Sequence, residues 1–297
     1  MLRWQEIIGL IQKATITKQK NEEKKELELI KLAVSAAQVT GERTITTENL
    51  NNELKDIFDN DKEATEISVG WFYQSNSNSY RIYKDGKIEY ANILPNEYKQ
   101  VEYIESTGTQ YIDTGLLAKD YSEINVIIDG NYTKLNKDRY IFGCSRGSNY
   151  CLVGIAFGSI NFIAQNGEAE TEKIFQEADL YKHIFSLDFF KKIALCDSNT
   201  IVLEYDVNKL INNNYFLFSI NRDGRSSSNA SFKMNYCTIK NKDDLFIRHY
   251  IPCYSTTIVT DVDGIERPKY TAGMYDIVNG SFYVNKGTGT FLKGADV

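Results

Sequence analysis

"LPNEYKQVEYIESTGTQYIDTG", residues 94–115, is where the chain changes character. Leu94-Pro95 disfavours helix at the junction, and the tyrosines, threonines and glycines that follow belong to strands and turns. From here to the C-terminus short β-branched or aromatic runs succeed one another, among them EINVIID, RYIFGC, YCLVGIAFG, INFIAQ, HIFSLDFF, YFLFSI, SFKMNYCTIK and FIRHYIP. Gly, Asn, Asp and Ser separate them. Many short strands at fairly regular spacing predict a two-sheet antiparallel sandwich over residues 91–297. In SFKMNYCTIK the period of two places Phe232, Met234, Tyr236 and Thr238 on one face and Lys233, Asn235, Cys237 and Ile239 on the other.

Upstream of the junction the texture is charged and helical. Residues 5–40 predict one long helix, because TKQKNEEKKELELIKLAVSAAQV holds no proline and consists largely of good helix formers. No apolar residue occurs from Thr17 to Glu26, whereas Leu27, Ile30, Val34 and Ala37 recur at helical spacing, so the C-terminal half is the part that docks. Gly41 is expected to end the helix in the left-handed conformation. Thr47 is expected to cap a second helix that carries Leu50, Leu54, Ile57 and Phe58 on one face. ISVGWFY (67–73) then reads as a strand, and SYRIYKDGKIEY (79–90) as a hairpin closed by a two-residue Asp85-Gly86 turn. Residues 1–90 are thus expected to form a separate α+β domain, a long helix with a small antiparallel sheet.

Composition narrows the function. With 42% hydrophobic and 25% charged residues the 297-residue chain reads as globular. A net charge of −6 argues against a phosphate backbone as partner, which needs a concentrated positive surface, so no nucleic acid is expected. No apolar run approaches the roughly 18–20 residues of a membrane span, and residues 1–14, interrupted by Gln5, Glu6 and Gly9, show no adequate export signal. The cysteines, 144, 151, 196, 237 and 253, are odd in number and lack CxxC spacing. They indicate neither a zinc site nor a full disulfide framework. Buried free thiols are expected, with one disulfide left open between Cys144 and Cys151, which flank SRGSNY and can face each other across a hairpin.

Three blocks in order, LPNEYKQVEYIESTGTQYIDTG (94–115), KMNYCTIKNKDDLFIRHYIPCYS (233–255) and GMYDIVNGSFYVNKGTGTF (273–291), resemble a laminin G-like, concanavalin A-like jelly-roll module of Gram-positive bacterial surface and phage-associated proteins. The resemblance implies two curved sheets, often used to bind glycans or proteins at a cell surface. The first 90 residues are similar, less specifically, to the soluble part of clostridial type IV pilin-like proteins, through GLIQKATITKQK, EEKKELELIKLAVSAAQV, TTENLNNEL and RIYKDGKIEY. In that family an apolar helical half precedes these segments. Neither that half nor an intact prepilin cleavage motif occurs here, so the chain is expected either to begin inside a prepilin or not to be assembled as a pilin. The location implied is extracellular or at the cell surface.

The same sandwich carries glycoside hydrolases whose paired carboxylates alternate along one strand, about 5 Å apart in retaining enzymes. Glu204-Tyr205-Asp206 comes nearest, but Val207, Asn208 and Lys209 follow where a second glutamate belongs. Glu168, Glu170 and Glu172 alternate too, in a polar stretch that reads as a solvated loop or edge. His183 and His249 lie far apart in strand-like runs and read as structural or surface histidines. There is no GxSxG elbow. No catalytic pair emerges, and a noncatalytic protein is expected.

Two loops carry the chemistry of glycan recognition, aromatic rings for sugar faces and planar polar groups for hydroxyls. SRGSNY supplies Arg146, Asn149 and Tyr150. NRDGRSSSN supplies Asn221, Arg222, Asp223, Arg225 and Asn229. Turn chemistry alone selects the same residue types, so plain hairpins are the competing reading. No cofactor is required. Asp261, Asp263 and Glu266 of DVDGIE are the candidate ligands for calcium, against an ordinary exposed turn. Three function classes follow: a surface module that binds carbohydrate or a protein for adhesion, a structural minor pilin or phage appendage component, and a glycoside hydrolase.

Overall fold

The computed structural model describes residues 22, 24–58, 62–67, 70–75, 78–91, 94–135, 138–166, 170–203, 211–260 and 265–297. These fall into two compact units, Met1–Ile93 and Leu94–Val297. Helix expected over residues 5–21, the Glu168 and Glu204–Asp206 carboxylates, and the Asp261 and Asp263 calcium candidates lie outside the described residues.

In the first unit helix α1 (described over 24–40) and α2 (Thr47–Phe58) accompany four strands, β1 (Thr65–Ile67), β2 (Gly70–Gln74), β3 (Ser79–Tyr83) and β4 (Ile88–Tyr90). The strands pair in that order into one antiparallel sheet. Ile30, Val34 and Ala37 of α1 and Leu50 and Leu54 of α2 share a core with Trp71, Tyr73, Tyr80 and Ile82. Local expectations are corrected. ISVGWFY is two paired strands, since Ile67 partners Gly70. The hairpin at Asp85-Gly86 is a three-residue loop, because Tyr83 donates to the Lys87 carbonyl, Gly86 donates to that of Tyr83, and Gly86 alone takes positive φ. Finally, α1 ends in a Schellman motif in which Glu42, at φ +51° and followed by Arg43 at +75°, is the left-handed cap. Its amide bonds the Val39 carbonyl and that of Arg43 bonds Gln38. Gly41 is needed for space instead: a Cβ there would stand 2.0 Å from the Thr44 oxygen.

The second unit runs β5 (Tyr98–Gln100), β6 (Ile104–Thr107), β7 (Ile112–Leu117), β8 (Asn125–Tyr132), β9 (Arg139–Arg146), β10 (Asn149–Ala156), β11 (Ser159–Asn166) and β12 (Glu170–Glu177). It continues with β13 (Lys182–Asp188), β14 (Ile193–Cys196), β15 (Asn199–Val202), β16 (Asn214–Leu217), β17 (Ile220–Arg222) and β18 (Arg225–Ser227). Its last strands are β19 (Ser231–Lys240), β20 (Phe246–Thr260), β21 (Glu266–Asp276), β22 (Ser281–Val284) and β23 (Leu292–Lys293). They form the antiparallel jelly-roll sandwich expected. Sheet I is ordered β12-β11-β10-β9-β16-β7, with β17 paired to β9 and β18 to β17. Sheet II is ordered β15-β14-β13-β8-β19-β20-β21-β22, flanked by β5, β6 and β23.

Inward residues of the two sheets make one core. Phe142, Cys144, Cys151, Val153, Ile155 and Phe162 come from sheet I, and Val126, Ile128, Phe185, Leu187, Phe232 and Met274 from sheet II. All five cysteines are free and buried, and Cys144 and Cys151 are partners across the β9–β10 hairpin as thiols. In β19 the alternation expected through SFKMNYCTIK fails halfway. A bulge between Met234 and Tyr236 inserts one residue, so the core takes Phe232 and Met234 and then Cys237 and Ile239. Glu170 and Glu172 stand on β12 at the edge of sheet I, in line with the loop-or-edge reading.

Candidate functional site

The outward face of sheet I is not uniformly polar. Tyr140, Leu152, Ala156, Ile163 and Ile220 form a second apolar cluster there, with Tyr150 packed against it. On β10 the cause is plain alternation: Cys151, Val153 and Ile155 point into the core, and Tyr150, Leu152 and Ala156 point away. The cluster is itself buried, none of its five members being more than 8% exposed.

Three turns rise around it. The β9–β10 turn crosses at Gly147-Ser148, with Arg146 paired to Asn149 and Ser145 to Tyr150. The β17–β18 turn is Asp223-Gly224 between the partners Arg222 and Arg225. Its φ values of +50° and +85° are those the Asp-Gly pair is chosen for in a two-residue hairpin. Because β17 runs parallel to β9, with Asn221 opposite Cys144 and Arg222 opposite Ser145, the two turns predicted from sequence come to stand side by side. The third is the β10–β11 turn, Phe157-Gly158.

Together they enclose a cleft of about 510 Å³. Its floor is Tyr140, Leu152 and Ile163, its walls are Tyr150, Phe157, Arg222 and Asp223, and Asp138 closes one side. Among the described residues the side chains of Arg222 and Asp223 make no hydrogen bond or ion pair, so both remain available to a ligand.

The β17–β18 hairpin is held from below. Buried Asn221 donates from its amide to the Asn214 carbonyl at 3.0 Å and accepts from the Gly224 amide at 2.8 Å. The Asp223 amide donates to the Ser145 carbonyl, and Asn213 donates to the same oxygen. Asn229 accepts a 2.9 Å hydrogen bond from the Ser219 hydroxyl. Of the eight residues proposed from the sequence, Tyr150, Arg222 and Asp223 line the cleft. Arg146 and Asn149 sit on the adjoining turn, Asn221 and Asn229 are fixed by backbone and hydroxyl partners, and Arg225 is exposed beside the turn.

Sequence reading missed Phe157. Its ring is 83% exposed and its φ is +51°, a region that bulky side chains avoid. The contrast with Phe218 is informative. That residue also has positive φ, +63°, but is fully buried against Phe232 and Phe291, and packing offsets its strain. Phe157 has no such packing: with Gly158 at φ +81° it forms the two-residue turn between the partners Ala156 and Ser159, its amide donates to the Asp138 carboxylate at 3.4 Å, and it lines the cleft. The signal was an aromatic beside glycine between two strand-like runs.

A smaller cleft of about 360 Å³ lies between β7 and β22, lined by Asp113, Tyr283 and Lys286 among others. Nearby, buried Asp276 accepts from the His249 and Val278 amides and from Asn279, and lies 3.5 Å from Arg248. Burial raises its pKa despite the Arg248 charge. The network ties β20 to β21 and the turn after it. Glu266, the described member of the calcium candidates, is an exposed residue opposite Thr260 on β20.

No family profile matches the chain, and no curated protein matches it. Solved structures do. The CBM40 module of the Ruminococcus gnavus IT-sialidase aligns with a TM-score of 0.39 and 16% identity over 49% of this chain and 92% of that one. It is also known bound to α2,3-sialyllactose. The NanB sialidase of Streptococcus pneumoniae aligns at 0.35 and 11% over 66% and 39%, and the leech intramolecular trans-sialidase at 0.39 and 10% over 67% and 38%. All three are distant likenesses. Among the described residues no helix is long and apolar enough to cross a membrane.

Proposed function

We propose that the sandwich unit is a noncatalytic carbohydrate-binding module that serves adhesion or recognition at a cell surface. The observation that carries the reading is Phe157, an exposed aromatic residue at positive φ that lines a cleft together with Tyr140, Leu152 and Ile163. Sugar rings present apolar faces to aromatic side chains and hydroxyl edges to planar polar groups. Phe157 and Tyr150 supply the first, and Arg222 and Asp223 the second, a guanidinium donating in a fork and a carboxylate accepting. For the first unit, a helix packed on a small antiparallel sheet supports the pilin-like reading, in which it presents the sandwich.

The test is binding of the full chain to a panel of neutral oligosaccharides and sialyllactose, with calcium and with chelator. Saturable binding that Phe157→Ala and Arg222→Ala each reduce about tenfold or more supports the site. Binding unaffected by both variants, or none to any glycan, overturns it. Binding that survives chelation removes calcium at DVDGIE from the proposal.

A further inference from the structure

At another place in the sandwich His183 is clamped between two carboxylates. Its Nδ1 lies 2.7 Å from Asp197 Oδ2 and its Nε2 lies 2.8 Å from Asp179 Oδ1. Cys196, whose side chain is buried with the core, completes the group: its Sγ, an Asp197 oxygen and a His183 ring nitrogen all lie within 4.8 Å of one another. The residues converge because β13 and β14 are antiparallel neighbours, Phe185 opposite Cys196, with Asp197 in the turn that follows and Asp179 in the segment before β13.

We propose that His183, Cys196 and Asp197 bind a divalent d-block cation of the Zn²⁺ class, with Asp179 orienting the imidazole from its other nitrogen. One nitrogen, one sulfur and a carboxylate oxygen are the mixed donor set that suits Zn²⁺, whereas Ca²⁺ and Mg²⁺ take oxygen ligands alone. A ligating histidine that gives its second N–H to a carboxylate is the usual outer arrangement of such sites. Here that arrangement is built in advance. Asp179 accepts from the Tyr181 amide at 2.7 Å and from Gln176 at 3.2 Å, and Gln176 in turn accepts from Asn199 at 2.9 Å. Asp197 is fixed likewise, by the Ile184 amide at 2.9 Å.

Tetrahedral ligation separates donor atoms by about 3.3–3.7 Å, so the short His183–Asp197 contact opens slightly and the thiol moves inward, with one position left for water. The Asp197 and Asp179 side chains are 42% and 31% exposed, which gives an ion a way in. Protonation competes with the ion, because thiol and imidazole ligate only when deprotonated. Burial and the two carboxylates push the Cys196 thiol up to about 12. Burial works against a charged His183, but the Asp197 and Asp179 partners outweigh it and raise its pKa. A metal ion takes its ligands deprotonated, so affinity climbs with pH.

The test uses the full chain with Co²⁺ and Zn²⁺ as probes. Expected are one equivalent of Co²⁺ with a thiolate charge-transfer band, displaced by Zn²⁺, and a Zn²⁺-dependent rise in melting temperature. Cys196→Ser abolishes the band, and Asp179→Asn weakens binding about 10–100-fold while leaving the band's shape intact. Circular dichroism confirms that each variant is folded. No charge-transfer band in the wild type, or a band that persists in Cys196→Ser, overturns the proposal and leaves His183 as an ion-paired structural residue.

Discussion

At the scale of single residues, three side chains make opposing demands on stability. Phe157 holds positive φ with its ring in solvent, and for an L-residue with a Cβ that conformation costs about 1–2 kcal/mol. Phe157→Asn, which tolerates the conformation, is expected to raise unfolding free energy by about 1 kcal/mol in urea titration while abolishing glycan binding. A stability loss would mean that the ring packs rather than recognises. The histidines titrate with opposite sign. Burial and then Lys240 depress His249 to about 4, and its ring stacks on Phe246 at 5.3 Å. The unfolded chain thus takes up this proton first, and stability falls as pH drops from about 6.5 toward 4, by about 2 kcal/mol after allowing for partial exposure. His183 is raised, so its contribution is complete below about 6.5 and is lost as pH rises through its folded value. Unfolding free energy measured against pH should flatten on the acid side in His249→Gln and on the alkaline side in His183→Gln; parallel wild-type and variant curves would refute the assignments.

At the scale of elements, hairpins decide whether the cleft exists. Asn221 is the strut beneath the β17–β18 turn, and Asn221→Ala leaves the Asn214 carbonyl and the Gly224 amide without that partner. A loss of about 1–3 kcal/mol is expected, with glycan affinity falling although Asn221 does not line the cleft. Unchanged affinity in the folded variant would show the hairpin to be self-supporting. In the first unit the helix cap shows what sequence leaves open. Thr46, not Thr47, is the cap of α2: its hydroxyl accepts from the Asn49 amide at 3.2 Å and Asn49 answers at 2.7 Å, while the Thr47 hydroxyl accepts from the Trp71 indole at 2.9 Å. Adjacent threonines are equivalent until a tertiary partner takes one of them. The bulge in β19 is a similar case, since period-two patterning predicts faces only while the register is unbroken. Two walls of the cleft were legible because Asp-Gly and Arg-Gly-Ser are turn chemistry. Its floor was not, because Tyr140, Leu152 and Ile163 read as ordinary strand residues until the sheet order showed them facing away from the core. The His183 group was hidden for the same reason, its members being brought together by strand pairing rather than by spacing.

At the scale of the whole molecule, the change of texture at Leu94-Pro95 corresponds to a change of core. The residues packed around α1 and α2, from Ile30 to Ile82, and those packed between sheets I and II, from Val101 to Phe291, form separate clusters. Hydrophobic burial is the main drive to fold, so a segment that encloses its own core carries most of its stability with it. The sandwich, at residues 94–297, is large enough to do so, whereas the first unit has a thin sheet whose outer strands, β1 and β4, are three residues each. Calorimetry of the full chain is therefore expected to show two transitions, the smaller one first. Residues 94–297 alone should reproduce the second transition within a few degrees and bind the same glycans with unchanged affinity. A single transition for the full chain, together with an isolated sandwich that melts far lower or fails to bind, would mean that the first unit completes the sandwich, and its role as a separate presenting stalk would have to be abandoned.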